Sequence, residues 1–150
     1  MFLRAVLAFL TLPGIVAFAI PLLFLKPADS PPFVASAALL LGFGVFLLLW
    51  CVRQFYVEGK GTLAPWSPPR HLVVSGLYRV SRNPMYIAVV LILIGWAVGF
   101  RSRALAIYAV VVTLAFHLRV VFGEEPWLAR KYGDEWVRYR ARVPRWLGRR

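Results

Sequence analysis

Gly76-Leu77-Tyr78-Arg79-Val80-Ser81-Arg82-Asn83-Pro84-Met85-Tyr86 is the stretch that decides how the rest of the chain is read. It is basic, aromatic and turn-forming, and it runs directly into an apolar run that begins at Met85. Pro84 has a preset φ and no backbone N–H to satisfy, which suits the first turn of a helix. Asn83 before it suits the N-cap. The stretch therefore predicts a helix N-terminus at the edge of an apolar layer. Such a terminus offers unpaired N–H groups and partial positive charge to an anion, with Arg79 and Arg82 adding two full charges. By itself the pattern is equally a well-capped membrane helix with arginines at its start. A second polar spot, Glu124-Glu125, also follows an apolar run, and the two together suggest a site.

Outward from this stretch the chain is apolar: 61% of its 150 residues are hydrophobic, and the mean hydropathy is +0.71. A soluble domain of this size does not carry that much apolar surface. The formal net charge is +12, and fifteen of the eighteen basic residues are Arg. The apolar runs argue against a nucleic-acid partner, because loops on the cytoplasmic side of membrane proteins collect Lys and Arg. The single cysteine, Cys51, permits no internal disulfide and sits inside an apolar run as a small hydrophobe.

Four apolar runs are long enough, or nearly so, for the ~20 residues a spanning helix needs. They cover residues 1–25, 33–52, 85–100 and 104–122. The expected fold is an all-α integral membrane protein, a single domain over residues 1–150. It has about four transmembrane helices, a cytoplasmic loop at 53–84 and an interfacial helical segment at 124–150. A cleavable signal is the rival reading of the first run, disfavoured by its length and by the second span close behind it. Pro13 and Pro21 predict kinks in the first helix, and Gly42 and Gly44 predict close approach of another helix to the second. Arg101-Ser102-Arg103 reads as a tight turn. After Gly123 the chain turns polar. Leu128, Tyr132, Trp136 and Tyr139 recur at three- and four-residue steps and make one apolar face. Gly133-Asp134 is expected to split this segment, with Asp134 as the second N-cap. The face reads as interfacial packing on the membrane.

With four spans, Arg4, Arg53, Lys60, Arg70, Arg79, Arg82 and the basic tail fall on one side. Only Lys26, Arg101 and Arg103 fall on the other. The positive-inside rule assigns the first side to the cytoplasm. Asn83-Pro84 and Glu124-Glu125 then share one membrane depth. Their inventory is arginines for an anion, carboxylates for a cation or hydroxyl pair, and the aromatics Trp66, Tyr78, Tyr86 and Trp127 for stacking or for a positive sulfur. No Ser-His-Asp order, Cys-x-x-Cys, metal-ligand spacing or Walker loop is present. His71 and His117 are too few and too separated to argue for a metal.

Several short motifs occur in order: Gly61-Thr62-Leu63-Ala64-Pro65 with Pro68-Pro69, then Arg82-Asn83-Pro84-Met85-Tyr86, then Glu124-Glu125 with Leu128. The last is Tyr132-Gly133-x-x-Trp136-x-x-Tyr139-x-x-x-Val143-Pro144-Arg145. Together, over roughly residues 55–147, the chain resembles the isoprenylcysteine carboxyl methyltransferases, with part of the pattern shared by the related phospholipid methyltransferases. The resemblance implies S-adenosylmethionine as cofactor, in a pocket between the last membrane helices and the cytoplasmic C-terminal segment. By matching positions that pocket would use Arg70, His71, Leu72, Val73, Tyr78, Arg82, Asn83, Pro84, Met85, Tyr86 and Glu124.

The implied reaction is methyl transfer to a lipophilic, membrane-embedded acceptor such as the carboxylate of a prenylcysteine-like substrate. The alternatives are a lipid-amine N-methyltransferase and a non-catalytic membrane protein that keeps the fold. Arg119 and Glu125 are the catalytic candidates. Arg119 either holds an acidic acceptor or snorkels to the interface, and Glu124 or Glu125 would serve as base for an amine acceptor. Acids in a first helical turn are also favourable without any site. The family often has Gly where Ala88 stands and a polar residue where Trp96 stands, and both departures fall on the acceptor side. Expected partners are the lipid bilayer and a lipophilic or lipidated substrate. The expected location is a membrane, with the Arg-rich composition pointing to a bacterial inner membrane.

Overall fold

The computed structural model describes residues 10–24, 33–58 and 71–148. Arg4, the 25–32 connection, the Gly61–Pro65 and Pro68–Pro69 motifs, Trp66, Arg70 and the last two arginines lie outside them. All regular structure among the described residues is helical. Helix α1 is π-wound over Leu10–Ala19 and closes with one α-helical turn, Ile20–Leu23. Helix α2 is Ala37–Val57, α3 is Pro84–Gly99, α4 is Arg103–Arg119 and α5 is Glu125–Arg142. A 3₁₀ turn at Gly76–Arg79 precedes α3, and a π-wound turn at Val120–Glu124 joins α4 to α5.

Helix α3 is the axis of the molecule, packing against α1, α2 and α4. The core is Ala88, Val89, Ile92 and Leu93 from α3, with Ala17, Leu48, Ala109 and Val112 from the three neighbours. The α2–α3 contact is close because it is built on missing side chains. A Cβ on Gly44 would lie 2.7 Å from Ile92 Cγ1 and 3.0 Å from the Ala88 carbonyl oxygen. A Cβ on Gly95 would meet Leu41 Cγ at 2.8 Å and its backbone nitrogen at 3.1 Å. Backbones brought this near gain dispersion along their whole length, which matters most where lipid offers no hydrophobic drive. Gly42, also expected at a helix contact, faces open space.

Other boundaries move for identifiable reasons. The second helix does not stop at Arg53. It continues to Val57 because Gln54 and Cys51 are buried there, while Arg53 points outward. The α3–α4 turn is as tight as its sequence suggests. Arg101 takes φ 49°, the Ser102 N–H donates to the Ala97 carbonyl at 3.0 Å, and the Ser102 side chain accepts from the Leu105 N–H.

The chain does not turn at Gly123. Helix runs on from α4 into α5, so that Arg103–Arg142 forms a kinked run of 40 residues. Pro126 supplies the reason for the π turn: it cannot donate to the carbonyl four residues back, and its ring would clash there. The N–H just before it, that of Glu125, bonds the Val120 carbonyl five residues back. The split expected at Gly133 is present, with φ 50° and ψ −123° inside an otherwise helical run.

Two helices, Ala37–Val57 and Arg103–Arg142, are long and apolar enough to cross a membrane, and α3 and part of α1 are shorter apolar helices. Phe43, Phe46, Leu49 and Trp50 on α2 are exposed, as are Ile107, Val110, Val111, Leu114 and Leu118 on α4. Such faces fit lipid rather than water.

The two glycines on α2 give a direct test. Gly44→Val should destabilise the folded protein in detergent by about 1–3 kcal/mol, the usual cost of overpacking. Gly42→Val should change stability by less than about 1 kcal/mol. Thermal unfolding of both variants would reject this packing if Gly44→Val melted with the parent.

Candidate functional site

The Tyr78–Tyr86 stretch is fixed by residues sixty positions away. The Tyr139 hydroxyl donates to the Tyr78 carbonyl at 2.8 Å, and the Arg82 N–H donates to the Pro144 carbonyl at 2.9 Å. The Arg145 carbonyl accepts from Ser81 Oγ at 3.1 Å and from Asn83 Nδ2 at 3.0 Å. Asn83 thus occupies the N-cap position, but its side chain makes no cap bond. Its amide is spent on the C-terminal segment, and its own N–H is taken by Ser81 Oγ at 3.1 Å. Ser81, 1% exposed, is fully used within this knot.

Glu125 ties the same elements by charge. Arg82 donates to its Oε1 at 2.8 Å, while Arg145 donates to both oxygens, from Nε at 2.8 Å and from a terminal nitrogen at 2.9 Å. The Arg82 and Glu125 side chains are 5% and 11% exposed. Burial pushes the Glu125 carboxyl up, but the Arg145 hydrogen bond and the charges of Arg82, Arg145 and Arg140 outweigh it and hold the group below its usual range. The Arg82 guanidinium also lies over the Trp136 ring, 5.4 Å from its centroid. Residues 143–146, after α5, form a strap across this turn, and Trp146 completes it by donating from Nε1 to His117 Nδ1 at 3.2 Å.

Glu124, one residue earlier, faces the other way. Its Oε1 accepts from the Tyr86 hydroxyl and from Arg119 Nε at 2.8 Å. The same Arg119 N–H lies 3.1 Å from the Tyr86 oxygen. The Tyr86 ring packs on Phe116 with centroids 4.4 Å apart. Adjacent glutamates on a helix point about 100° apart, so one closes the strap while the other meets α3 and α4.

Between the knot and this triad lies a cavity of about 900 Å³. Of the residues singled out from sequence, His71, Leu72, Val73, Tyr78, Arg82, Asn83, Met85, Tyr86, Arg119 and Glu124 line it. Pro84 does not; it is buried at the first turn of α3. Glu125 does not either, being held in the strap. Arg70 is outside the described residues. The wall has further parts: Pro13 and Val16 of α1 and Phe55 of α2, which the sequence did not mark as site residues, Trp127, counted among the site's aromatics, and Leu128, Tyr132, Trp136 and Tyr139 of α5. The α5 set is the same three-and-four spacing read above as packing on the membrane. Trp136 and Tyr139 do pack, against Val143, but they also face the cavity region. The Trp136 indole N–H is buried and has no hydrogen-bond partner among the described residues. Among these residues no cluster of three or more His, Cys, Asp or Glu side chains could hold a metal ion.

The strap has a pH signature. The folded Glu125 carboxyl titrates below its unfolded value, so its stabilising contribution is complete above the ordinary carboxylate range and is lost as pH falls through the lowered value. Thermal unfolding against pH should show the wild type losing stability below about pH 4. Glu125→Gln should start lower by about 1–3 kcal/mol at neutral pH and show a flatter acid limb. Parallel acid limbs would remove Glu125 from this role.

Comparison with known proteins places this geometry. The chain matches the phospholipid methyltransferase family over residues 33–135, well over half its length. A protein of Haemophilus influenzae described only as uncharacterized is 32% identical over 63 residues, which is 42% of this chain and all of that protein. No solved structure gives a significant match. The matched region contains α2, α3, α4, the Tyr86–Arg119–Glu124 triad and the first part of α5, and the chain belongs to the phospholipid methyltransferase family.

Proposed function

We propose that the chain is an S-adenosylmethionine-dependent methyltransferase acting on a lipophilic acceptor embedded in the membrane. The observation that carries this reading is the single cavity shared by the start of α3, the Glu124–Arg119–Tyr86 triad and the aromatic face of α5, in a chain of a methyltransferase family. Its volume is near the upper end of the ~300–1,000 Å³ range of small-molecule sites, which suits a cofactor and an acceptor head together. The donor and acceptor set fits the cofactor. Glu124 offers a carboxylate to an ammonium or to ribose hydroxyls. Tyr78, Tyr132 and Trp127 offer ring faces to an adenine or a sulfonium. The Trp136 N–H is a buried donor without a hydrogen-bond partner among the described residues. The residues that would hold it are His71, Leu72, Val73, Tyr78, Arg82, Asn83, Met85, Tyr86 and Glu124, with Pro84 setting the helix start and Arg70 expected beside His71.

Bound there, the cofactor supplies an electrophilic methyl group, so the protein's work is alignment and exclusion of water rather than strong acid catalysis. Glu125 is not a free base, because both its oxygens accept from guanidinium groups, and Glu124, whose Oε1 accepts from Tyr86 and Arg119, is the carboxylate offered to the cofactor in this reading. This favours an acceptor that is already anionic, such as a carboxylate, over an ammonium that must first lose a proton. Arg119, half exposed at the rim, would orient that anion. Glu125 enters this reading as a positioning residue, through Arg82. The second reading, N-methylation of a lipid amine, is favoured by the description of the matched family. Transfer of labelled methyl groups to carboxylate and amine lipids would separate the two.

Calorimetry on the solubilised protein tests the site. Glu124→Gln keeps the shape and removes the charge, and it should weaken S-adenosylmethionine binding about tenfold or more, the loss of one charge-assisted bond. Arg103→Gln, at the far end of α4, should not. Equal affinities for Glu124→Gln and wild type would move the site away from the triad.

Four spans with both ends in the cytoplasm complete the proposal, in a bacterial inner membrane with the cavity opening to the cytoplasm. In a Cys51→Ser background, Ser102→Cys should react with an impermeant maleimide from outside and Gly148→Cys only after lysis. The reverse pattern would overturn the orientation.

A further inference from the structure

Pro13 and Val16 of α1 line the cavity from outside the family match, and they bear on what the acceptor is. We propose that Val16, with Pro13 a turn away, sets the length of hydrocarbon chain the acceptor compartment takes. The inference rests on the methyltransferase reading for its biological meaning but not for its test.

Three observations carry it. First, Pro13 and Val16 line the cavity together with the apolar Met85, Val89 and Phe116. The same Val16, Met85 and Phe116 pack on the core cluster that contains Val89. The charged lining residues Arg82, Arg119 and Glu124 stand outside this apolar group, before α3, at the end of α4 and in the π-wound turn after it. The cavity therefore has a polar head end and an apolar end, and what fits both is an amphiphile with its chain against α1.

Second, α1 is held rigidly in an irregular form at this point. Pro13 lacks an N–H, and the helix is π-wound from Leu10 to Ala19. The Tyr108 hydroxyl donates to the Val16 carbonyl at 3.1 Å, and Trp96 Nε1 donates to the Ala17 carbonyl at 3.0 Å. One bond comes from α4 and the other from α3. A wall pinned at two consecutive carbonyls acts as a fixed stop. This also gives Trp96 a task, as a clamp on α1.

Third, α1 precedes the region shared with the family, which begins at residue 33. The head-end machinery lies largely inside that region and the stop outside it.

The test uses straight-chain carboxylates from octanoate to stearate as probes, displacing a dansyl-labelled undecanoate from the full-length protein in nanodiscs, with empty nanodiscs as the partition control. Each methylene accommodated should tighten binding roughly fourfold, up to a break where the stop is met. Val16→Phe should move the break to shorter chains and weaken palmitate against decanoate about tenfold or more. Val16→Ala should move it to longer chains, and this variant guards against a Val16→Phe protein that fails to fold. Tyr108→Phe, which frees the Val16 carbonyl, should blur the break. An identical chain-length profile in wild type and Val16→Ala would overturn the proposal. The probes need no cofactor. A protein that shows these shifts but binds no S-adenosylmethionine would therefore refute the methyltransferase reading and leave the chain-length stop standing.

Discussion

Glu125 sits between two guanidinium groups, and most of the site's geometry hangs on that arrangement. Arg82 comes from the turn before α3 and Arg145 from the strap after α5, so one carboxylate joins the two ends of the region that encloses the cavity. The pairing is nearly dry on the Arg82 side. Removing water from these charges is expensive and is offset by the close geometry of the paired groups. The backbone of the strap completes the account, taking the Arg82 N–H at Pro144 and the Ser81 and Asn83 side chains at Arg145. The Tyr139 phenol, pushed up by burial, stays protonated and gives its hydrogen to the Tyr78 carbonyl. A turn that would otherwise sample many shapes is held in one.

This rigidity matters because the chemistry proposed for the cavity is one of placement. An in-line displacement gains from holding reacting groups in line and keeping water out, and each gain is lost with small displacements. The head end of the cavity is built on α3, itself clamped to α2 by contacts that leave no room for a Cβ at Gly44 or Gly95. The strap then fixes α5 over the opening. The two adjacent glutamates divide the work: Glu125 is neutralised and structural, while Glu124 keeps a half-exposed carboxylate at the cavity with Tyr86 and Arg119.

The irregular helical turns have a common origin. At Pro13 and Pro126 the chain lacks a donor that a regular α-helix needs, and in both places it winds wider rather than breaking. In the same helix as Pro13, Pro21 can donate to neither the Ala17 nor the Val16 carbonyl, and these find Trp96 and Tyr108. At Pro126, the widened turn carries the chain from an apolar helix to an amphipathic one without a loop, and it sets the directions of Glu124 and Glu125.

Local chemistry was enough to read the helical class, the apolar runs, the helix start at Pro84, the turn at Arg101–Arg103 and the break at Gly133. Each depends on the preferences of a few adjacent residues, which composition and spacing carry directly. The residues grouped around Asn83 and Glu124 were also legible, because short motifs at the two ends of a helix pair mark one layer. What the order of residues did not carry was partnership. Asn83 looks like a cap and is instead an anchor for the Arg145 carbonyl. Glu125 looks like a second acid of a site and is the centre of a strap. Trp136 and Tyr139 look like interfacial packing and form a cavity wall. In each case the local preference allows several partners of similar free energy, and only the folded chain, by bringing residues 81–83 against 143–146 and α1 against α3 and α4, decides which of them is within reach.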